Sequence, residues 1–571
     1  MSIRSIKTAA ALGYNVKCME NGDQNKRKES KCEDFDDILE LVGSQGKFQK
    51  FLLYVVLCPV TAIEPVLALN MLFMLYEPDH WCNVPGRPEN MTLDSWKNLT
   101  IPRELDGTFS KCEMITANSS RASCSFGWEY DRKDYDLTIP SQYNWVCDKS
   151  EWATWALTFG GLGNAVGTIV YGMLADHKMV GRKPIFFLCL VLNVFGRIAS
   201  YFFPSNFYVF LGLLFLTGTG FPMIFIAPCM ICAEISDRVF RAWIYSCTWM
   251  IWVIGMASLP LIAWLARDWF YIGMITTVPM VLVFGFYNYI PESPRWLISV
   301  GRTEEAALII KKMAEKNGTS DKISDTQLDS MLKLIVSKQN QNRQRVGVWT
   351  LYSRPRLALK TTLITIAWVM NGTIYYAITL NSSNLSGNQF VNFFILAMIE
   401  IPAGYFGSVL VDKGGRRWTQ VAFFILCAFA SIVAGVASPH KHNEGWAIAS
   451  VVGAVVSKFA ITLTFLVVYL QATEIFPTII RSTGSGFAST ISSIIGIFTP
   501  YIVYLSKYNL GATWFAIVAM SIVGMVSSAF LPETLGQSLP ESIEDAENFG
   551  KGTKFWSLVP KTKDEKPINE A

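Results

Sequence analysis

The stretch VNFFILAMIEIPAGYFGSVLVDKGGRR, residues 391–417, is almost wholly apolar, yet Glu400 stands inside it and Asp412, Lys413, Arg416 and Arg417 crowd its end. An apolar run of roughly 20 residues is long enough, as a helix, to cross about 30 Å of hydrocarbon. Working outward, similar runs recur at 51–76, 152–174, 184–203, 207–232, 243–265 and 270–290. A second set lies at 359–380, 390–411, 418–437, 446–472, 484–505 and 512–531. A buried soluble helix can imitate one such run but not a dozen. Composition agrees: 51% of residues are hydrophobic and only 16% charged, against roughly 25% in soluble domains. The expected fold class is an all-α polytopic membrane protein with 12 transmembrane helices, its main partner the lipid bilayer. The net charge of +4, with no basic stripe interleaved with aromatics, excludes nucleic acid as a partner.

Lys and Arg crowd alternate loops: DHKMVGRK, DRVFR, PESPRW and DKGGRR lie on one side, while FPSN and NSSNLSGNQ lie on the other. The basic side is expected to be cytoplasmic, which places both termini inside a plasma-membrane protein. The N-terminus lacks a signal-peptide core, so the first span is expected to act as the insertion signal. The outward loop at 77–150 holds Cys82, Cys112, Cys124 and Cys147, expected to form two disulfides with three pairings open. It also holds acceptor triplets at Asn90, Asn98 and Asn118, expected to be glycosylated. Asn317-Gly318-Thr319 falls on the basic side and is expected to be unused. The remaining cysteines are read as packing residues, and neither a metal site nor a cofactor is expected.

A polar stretch with the amphipathic segment GRTEEAALIIKKMAEKNG separates two sets of six spans. The expected organisation is a tail at 1–50, a first half at 51–290, a cytoplasmic loop at 291–358, a second half at 359–531 and a tail at 532–571. The halves share marks. GMLADHKMVGRK follows the second span and GSVLVDKGGRR the eighth; Glu234 and Arg241 follow the fourth, Glu474 and Arg481 the tenth; PESPR ends the sixth span and PET the twelfth. Parallel repeats around a central cavity are one transporter architecture.

The G-x-L-A-D…G-R-K loop and its partner resemble the signature of the major facilitator superfamily. YEPDHWC, YNWVCDKS, YYAITLNSSNLSGNQFVNFF, Glu400-Ile401-Pro402, SKFAITLTFLVVYLQATEIFPTIIRSTG and LPETLGQSLPESIEDAENF resemble its organic cation, anion and zwitterion transporter family, carnitine- and carcinine-type members included. The likeness runs from Tyr76 to Phe549. It implies two six-helix halves around a central cavity, with the acid of the E-x-P motif, Glu400, and the pair Tyr375–Tyr376 at that cavity. Departures are visible: the first signature loop is longer by two residues between Asp176 and Gly181, the large loop has four cysteines rather than six, the fourth span lacks a basic residue, and Ser493 stands where cation carriers of the family have Asp and anion carriers Arg.

Two groups of charges carry the functional expectation. Asp176, Arg182, Glu234, Arg241, Asp412, Arg416, Glu474 and Arg481 lie at helix ends and are expected to form gating bridges between acids and bases. Glu64, Glu400 and Lys458 lie deep in spans, where an ionised group at a helix centre costs about 2.5–3.5 kcal/mol on insertion scales. Together with Asn70, Trp249, Trp368, Tyr375 and Tyr376 they are the candidate substrate-binding residues; Trp252 is a further aromatic within a span. An internal Glu400–Lys458 bridge and direct contact with a charged solute are both open. No P-loop, G-x-S-x-G or metal-ligand cluster points to an enzyme, and duplicated gate charges argue against a channel or receptor. The reading is a transporter of small organic cations or zwitterions, acting as a monomer, with organic anion transport the alternative and a sugar porter a weaker one. Coupling to Na+ or H+ is left open.

Overall fold

A computed structural model describes residues 35–551 apart from 105–107, 117–119, 342–346, 441–442, 538–539 and 541. Twelve helices among the described residues are long and apolar enough to cross a membrane. The first six are Lys47–Met74, Cys147–Ala175, Arg182–Ser200, Phe207–Glu234, Val239–Ala266 and Trp269–Phe286. The second six are Pro355–Asn384, Gln389–Gly414, Arg416–His440, Glu444–Ile475, Arg481–Lys507 and Ala512–Ala529. Each overlaps one of the apolar runs; the ends move because helices continue into polar residues that hydropathy discards.

Proline shapes the spans near their acids. Pro402 has no N–H to offer the carbonyl of Met398, and the eighth span divides there into Gln389–Met398 and Glu400–Gly414. In the first span Pro59 cannot donate to the carbonyl of Val55, and the turn Leu52–Leu57 relaxes into π-helix. The second and fourth spans approach closely through small residues: a Cβ on Gly163 would lie 2.1 Å from the carbonyl oxygen of Phe215.

The loop at 77–150 is a folded cap. His80–Cys82 pairs antiparallel with Trp128–Tyr130, and Glu113–Ile115 with Arg121–Ser123. The disulfides are Cys82–Cys124 and Cys112–Cys147, one of the three open pairings. Asn90 and Asn98 are exposed, whereas Asn118 lies outside the described residues. Asn317 has structural work instead: its Oδ1 accepts from the Phe48 backbone N–H at 2.9 Å and its Nδ2 donates to the Gly43 carbonyl at 2.9 Å, tying the helix Thr303–Asn317 to the entry of the first span.

His80 is buried in the cap, with Nδ1 3.1 Å from the Pro78 carbonyl. Burial holds its imidazole below the usual histidine range, so the native cap favours the neutral ring. The unfolded cap then binds more protons as pH falls through about 6.5, and cap stability falls with it, being fully present only above that pH. Protection factors of the amides at 80–82 and 128–130, that is, exchange corrected for its intrinsic pH dependence, are expected to fall on acidification in the native protein and to lose that sensitivity in His80→Gln.

The two halves meet at the disulfide-bearing end. Glu77 Oε2 accepts from Lys507 Nζ at 2.6 Å, the Ser150 and Tyr504 hydroxyls lie 3.3 Å apart, and Phe73 packs on Phe390 and Phe393 with ring centroids at 5.9 and 5.2 Å.

Candidate functional site

Four residues from three spans converge on one buried group. Lys458 Nζ in the tenth span lies 3.0 Å from Glu400 Oε1 in the eighth, and both side chains are 0% exposed. From the seventh span, Tyr375 donates its hydroxyl to Glu400 Oε1 at 2.7 Å, and Thr379 Oγ1 accepts from Lys458 Nζ at 2.7 Å. The ammonium also sits 3.3 Å from the Tyr375 ring centroid, where the face of the ring attracts a cation. Tyr375 and Thr379 are four residues apart and so share one helix face. The arrangement is a neutral unit made of opposite charges. Glu400 Oε2 has no hydrogen-bond partner among the described residues, leaving one acceptor unused.

An aromatic wall adjoins the pair. Tyr375 packs on Tyr376 at 5.4 Å and on Phe465 at 5.7 Å; Phe465 contacts Trp249 at 6.4 Å and Tyr469 at 5.1 Å; Tyr469 meets Trp368 at 4.2 Å. Trp249 belongs to the first half and the others to the second. Trp252 stands near the Tyr375 hydroxyl. Tyr376 lies near both Glu64 and Glu400, which belong to opposite halves, yet it is 44% exposed, as is Tyr469. Neither ring is sealed in the protein. Phe465 and Tyr469 were not picked out from the sequence, although they fall seven and eleven residues after Lys458, which is the spacing of one helix face. An aromatic in an apolar run carries no contrast, whereas a charge does.

Not every candidate joins this group. Asn70 donates to Thr276 Oγ1 at 2.8 Å and accepts from Arg197 at 3.4 Å, inside the first half. The structure therefore places Asn70 in a separate polar cluster, completed by a Tyr201–Thr277 hydroxyl contact of 2.7 Å. Arg197, a buried charge in the third span, escaped the sequence reading although it shows the same contrast as Glu64. Glu64 is buried at 1% exposure with neither oxygen hydrogen-bonded among the described residues. The cysteines also hold more order than their reading as scattered packing residues suggested: Cys229 and Cys232 stand at C-x-x-C spacing, and the Cys58 and Cys247 sulfurs are 3.8 Å apart. In the cap, His80 neighbours Cys112 and Cys147, but those sulfurs are bonded to each other, and only a thiolate serves as a ligand.

At the end opposite the cap, the two halves repeat one network. Arg182 pairs with Glu234, which also accepts from the Ser293 hydroxyl; Arg416 pairs with Glu474 at 3.0 Å, which also accepts from the Thr534 hydroxyl. The glutamates of PESPR and PET complete it. Glu292 accepts the backbone N–H of Arg182 and Lys183 at 3.2 and 3.1 Å, and Glu533 accepts those of Arg416 and Arg417 at 2.8 and 3.0 Å. Each carboxylate thus caps a helix whose first N–H groups have no partner within the helix. Arg241 lies 3.8 Å from Asp36 and donates to the Ala233 and Ser236 carbonyls, while Arg481 donates to the Phe476 carbonyl at 3.3 Å. Asp176 and Asp412 are 3.7 and 3.9 Å from Arg182 and Arg416, with side chains 73% and 78% exposed. These bridges all stay within one half. Arg182–Glu234 and Arg416–Glu474 are acid–base pairs within one half, whereas Arg241 pairs with Asp36 and Arg481 donates to a backbone carbonyl.

Comparisons agree with this geometry. The sugar (and other) transporter family model matches residues 102–545. Organic cation transporter 1 of Caenorhabditis elegans is 30% identical over 100% of this chain and 97% of its own. The carcinine transporter of Drosophila melanogaster is 31% identical over 91% of this chain and 80% of its own. The solved structure of the proton:xylose symporter XylE of E. coli shares the fold at a TM-score of 0.55 and 16% identity, covering 89% of this chain and 99% of that one. With duplicated helix-end networks, twelve spans and full-length relatives in hand, the chain belongs to the sugar (and other) transporter family and, within the major facilitator superfamily, to the organic cation, anion and zwitterion transporters, a family of carriers and not of enzymes.

Proposed function

We propose that this protein carries small organic cations or zwitterions across the plasma membrane by alternating access. The observation that carries the reading is the buried Glu400–Lys458 pair beside an aromatic wall in which Tyr376 and Tyr469 stay partly exposed. A solute bearing an ammonium group can take over the carboxylate, and one that also bears a carboxylate can take over the ammonium of Lys458. Both partners then stay neutralised, which a buried charge requires. A singly charged cation leaves Lys458 to Thr379 and the Tyr375 ring, so solutes with both charges, of the β-alanine or carnitine kind, fit the pair best. The similarity to a carcinine transporter supports amine recognition. An organic anion would have to displace Glu400 from Lys458, and the free carboxylate would then repel it.

In this reading the disulfide cap lies outside and bears glycans at Asn90, Asn98 and Asn118, and both termini lie inside. Asp176 and Asp412, exposed here, engage the opposite half when the inner end closes. The helix Thr303–Asn317 and the tail helix Ile543–Asn548 brace that end, the latter through Lys360, whose Nζ donates to the Ala546 and Phe549 carbonyls at 2.7 Å.

The deciding experiment is uptake by cells expressing the chain, with labelled cations, zwitterions and anions, with and without sodium, normalised to surface protein. Uptake of amines and amino-acid-like zwitterions above that of anions is expected; selective anion uptake would reverse the assignment. In the same assay Asp412→Asn is expected to reach the surface normally and transport poorly.

A further inference from the structure

Glu64 differs from Glu400 in a way its burial makes consequential. Glu400 is served by an ammonium and a phenol, whereas neither oxygen of Glu64 meets a hydrogen-bond partner among the described residues. None of its neighbours among the described residues donates a hydrogen bond to it. The fourth span brings the Cys229 thiol near it, and the seventh brings the Tyr376 phenol. The fifth span meets the first as backbone at Gly255, where a Cβ would lie 2.1 Å from the Ala62 carbonyl oxygen. The sixth meets it through Asn70 and Thr276, about six residues or roughly 9 Å further along the helix. No ion pair to Glu64 forms among the described residues, and Arg197 is turned to Asn70. An ionised carboxylate is not sustained in such a place, but a carboxylic acid is. A sodium ion is a poor alternative tenant, because a hard cation asks for several oxygen ligands.

The neighbourhood is nevertheless not sealed throughout. Tyr376 lies near Glu64 and is 44% exposed, and Pro65 inside the helix removes one backbone donor beside the acid. Movement of the halves can therefore bring water to the carboxyl without unfolding the span.

We infer that Glu64 is a proton-carrying site that couples a proton gradient to solute movement through this carrier. The carboxyl holds its proton while enclosed, as here, and ionises when the rearranged halves admit water. Only an O–H bond forms and breaks, the proton being taken from water on one side and returned to water on the other. The inference rests on the carrier reading and adds a coupling ion to it.

The test uses purified protein in proteoliposomes with labelled carcinine as the probe, and reads the ratio of uptake with an acidic exterior to uptake without a gradient. A ratio above one is expected for the native protein, falling to one in Glu64→Gln, which mimics the protonated acid in shape. Glu400→Gln is expected to lower both uptakes while keeping their ratio. A second measurement needs no solute: infrared difference spectra on pH change should show a protonated carboxyl band in the native protein that Glu64→Gln lacks. A ratio retained in Glu64→Gln, or a band that survives the substitution, overturns the inference. Absence of any carcinine uptake by the native protein counts against the substrate reading, and the infrared band then decides Glu64 alone.

Discussion

Lys458→Ala is expected to cost most of the folded protein, and adding Glu400→Gln is expected to return it. Alone, the first substitution leaves a carboxylate at 0% exposure with only the Tyr375 hydroxyl for company. Removing one partner of a buried pair typically costs 3–5 kcal/mol, or about that here, a large share of a total stability of roughly 5–15 kcal/mol. The double variant removes both charges, so the buried unit is again neutral. Thermal midpoints and monodisperse yield in detergent report the effect. A Lys458→Ala protein as stable as the native one would show that the pair is not held in a dry interior. Uptake separates folding from function: the double variant is expected to fold but to lose most amine transport, because nothing remains to exchange with an ammonium group.

The second large effect is expected at Gly415. Its φ of 80° and ψ of 168° fall where only glycine is at ease, and an added Cβ would lie 2.5 Å from Glu533 Oε2. Gly415→Ala therefore strains the backbone, by about 1–3 kcal/mol, and pushes away the carboxylate that caps the ninth span, worth about 1 kcal/mol more by comparison with ordinary caps. Gly301→Ala separates these contributions, since Gly301 has φ of 87° with no atom within 4 Å of the added Cβ. The expected order of thermal midpoints is native, then Gly301→Ala, then Gly415→Ala. Equal losses in the two variants would mean that the Glu533 cap contributes nothing. Gly181 faces Glu292 at the same 2.5 Å, so the first half should respond in the same way.

That symmetry was partly legible beforehand. PESPR and PET stood out as paired marks, but their glutamates were not assigned work. The bonds they make run from residue 292 back to 182 and from 533 back to 416, separations over which a linear reading has no rule. Asn317 is a similar case: a triplet that resembles a glycosylation acceptor is in fact a tie between a surface helix and the first span.

The chain's hydropathy determined the number of spans, because hydrocarbon thickness sets a length that each run must meet. It also singled out Glu64, Glu400 and Lys458, because a charge in an apolar run is conspicuous. Only the tertiary structure decided which charges neutralise one another. Glu400 and Lys458 pair while Glu64 has no hydrogen-bond partner among the described residues, and Asn70 turns to Arg197 rather than to either acid. The physical reason is that contact between helices depends on how each is rotated and tilted, which is settled by the packing of all twelve spans together and not by the local period of any one of them.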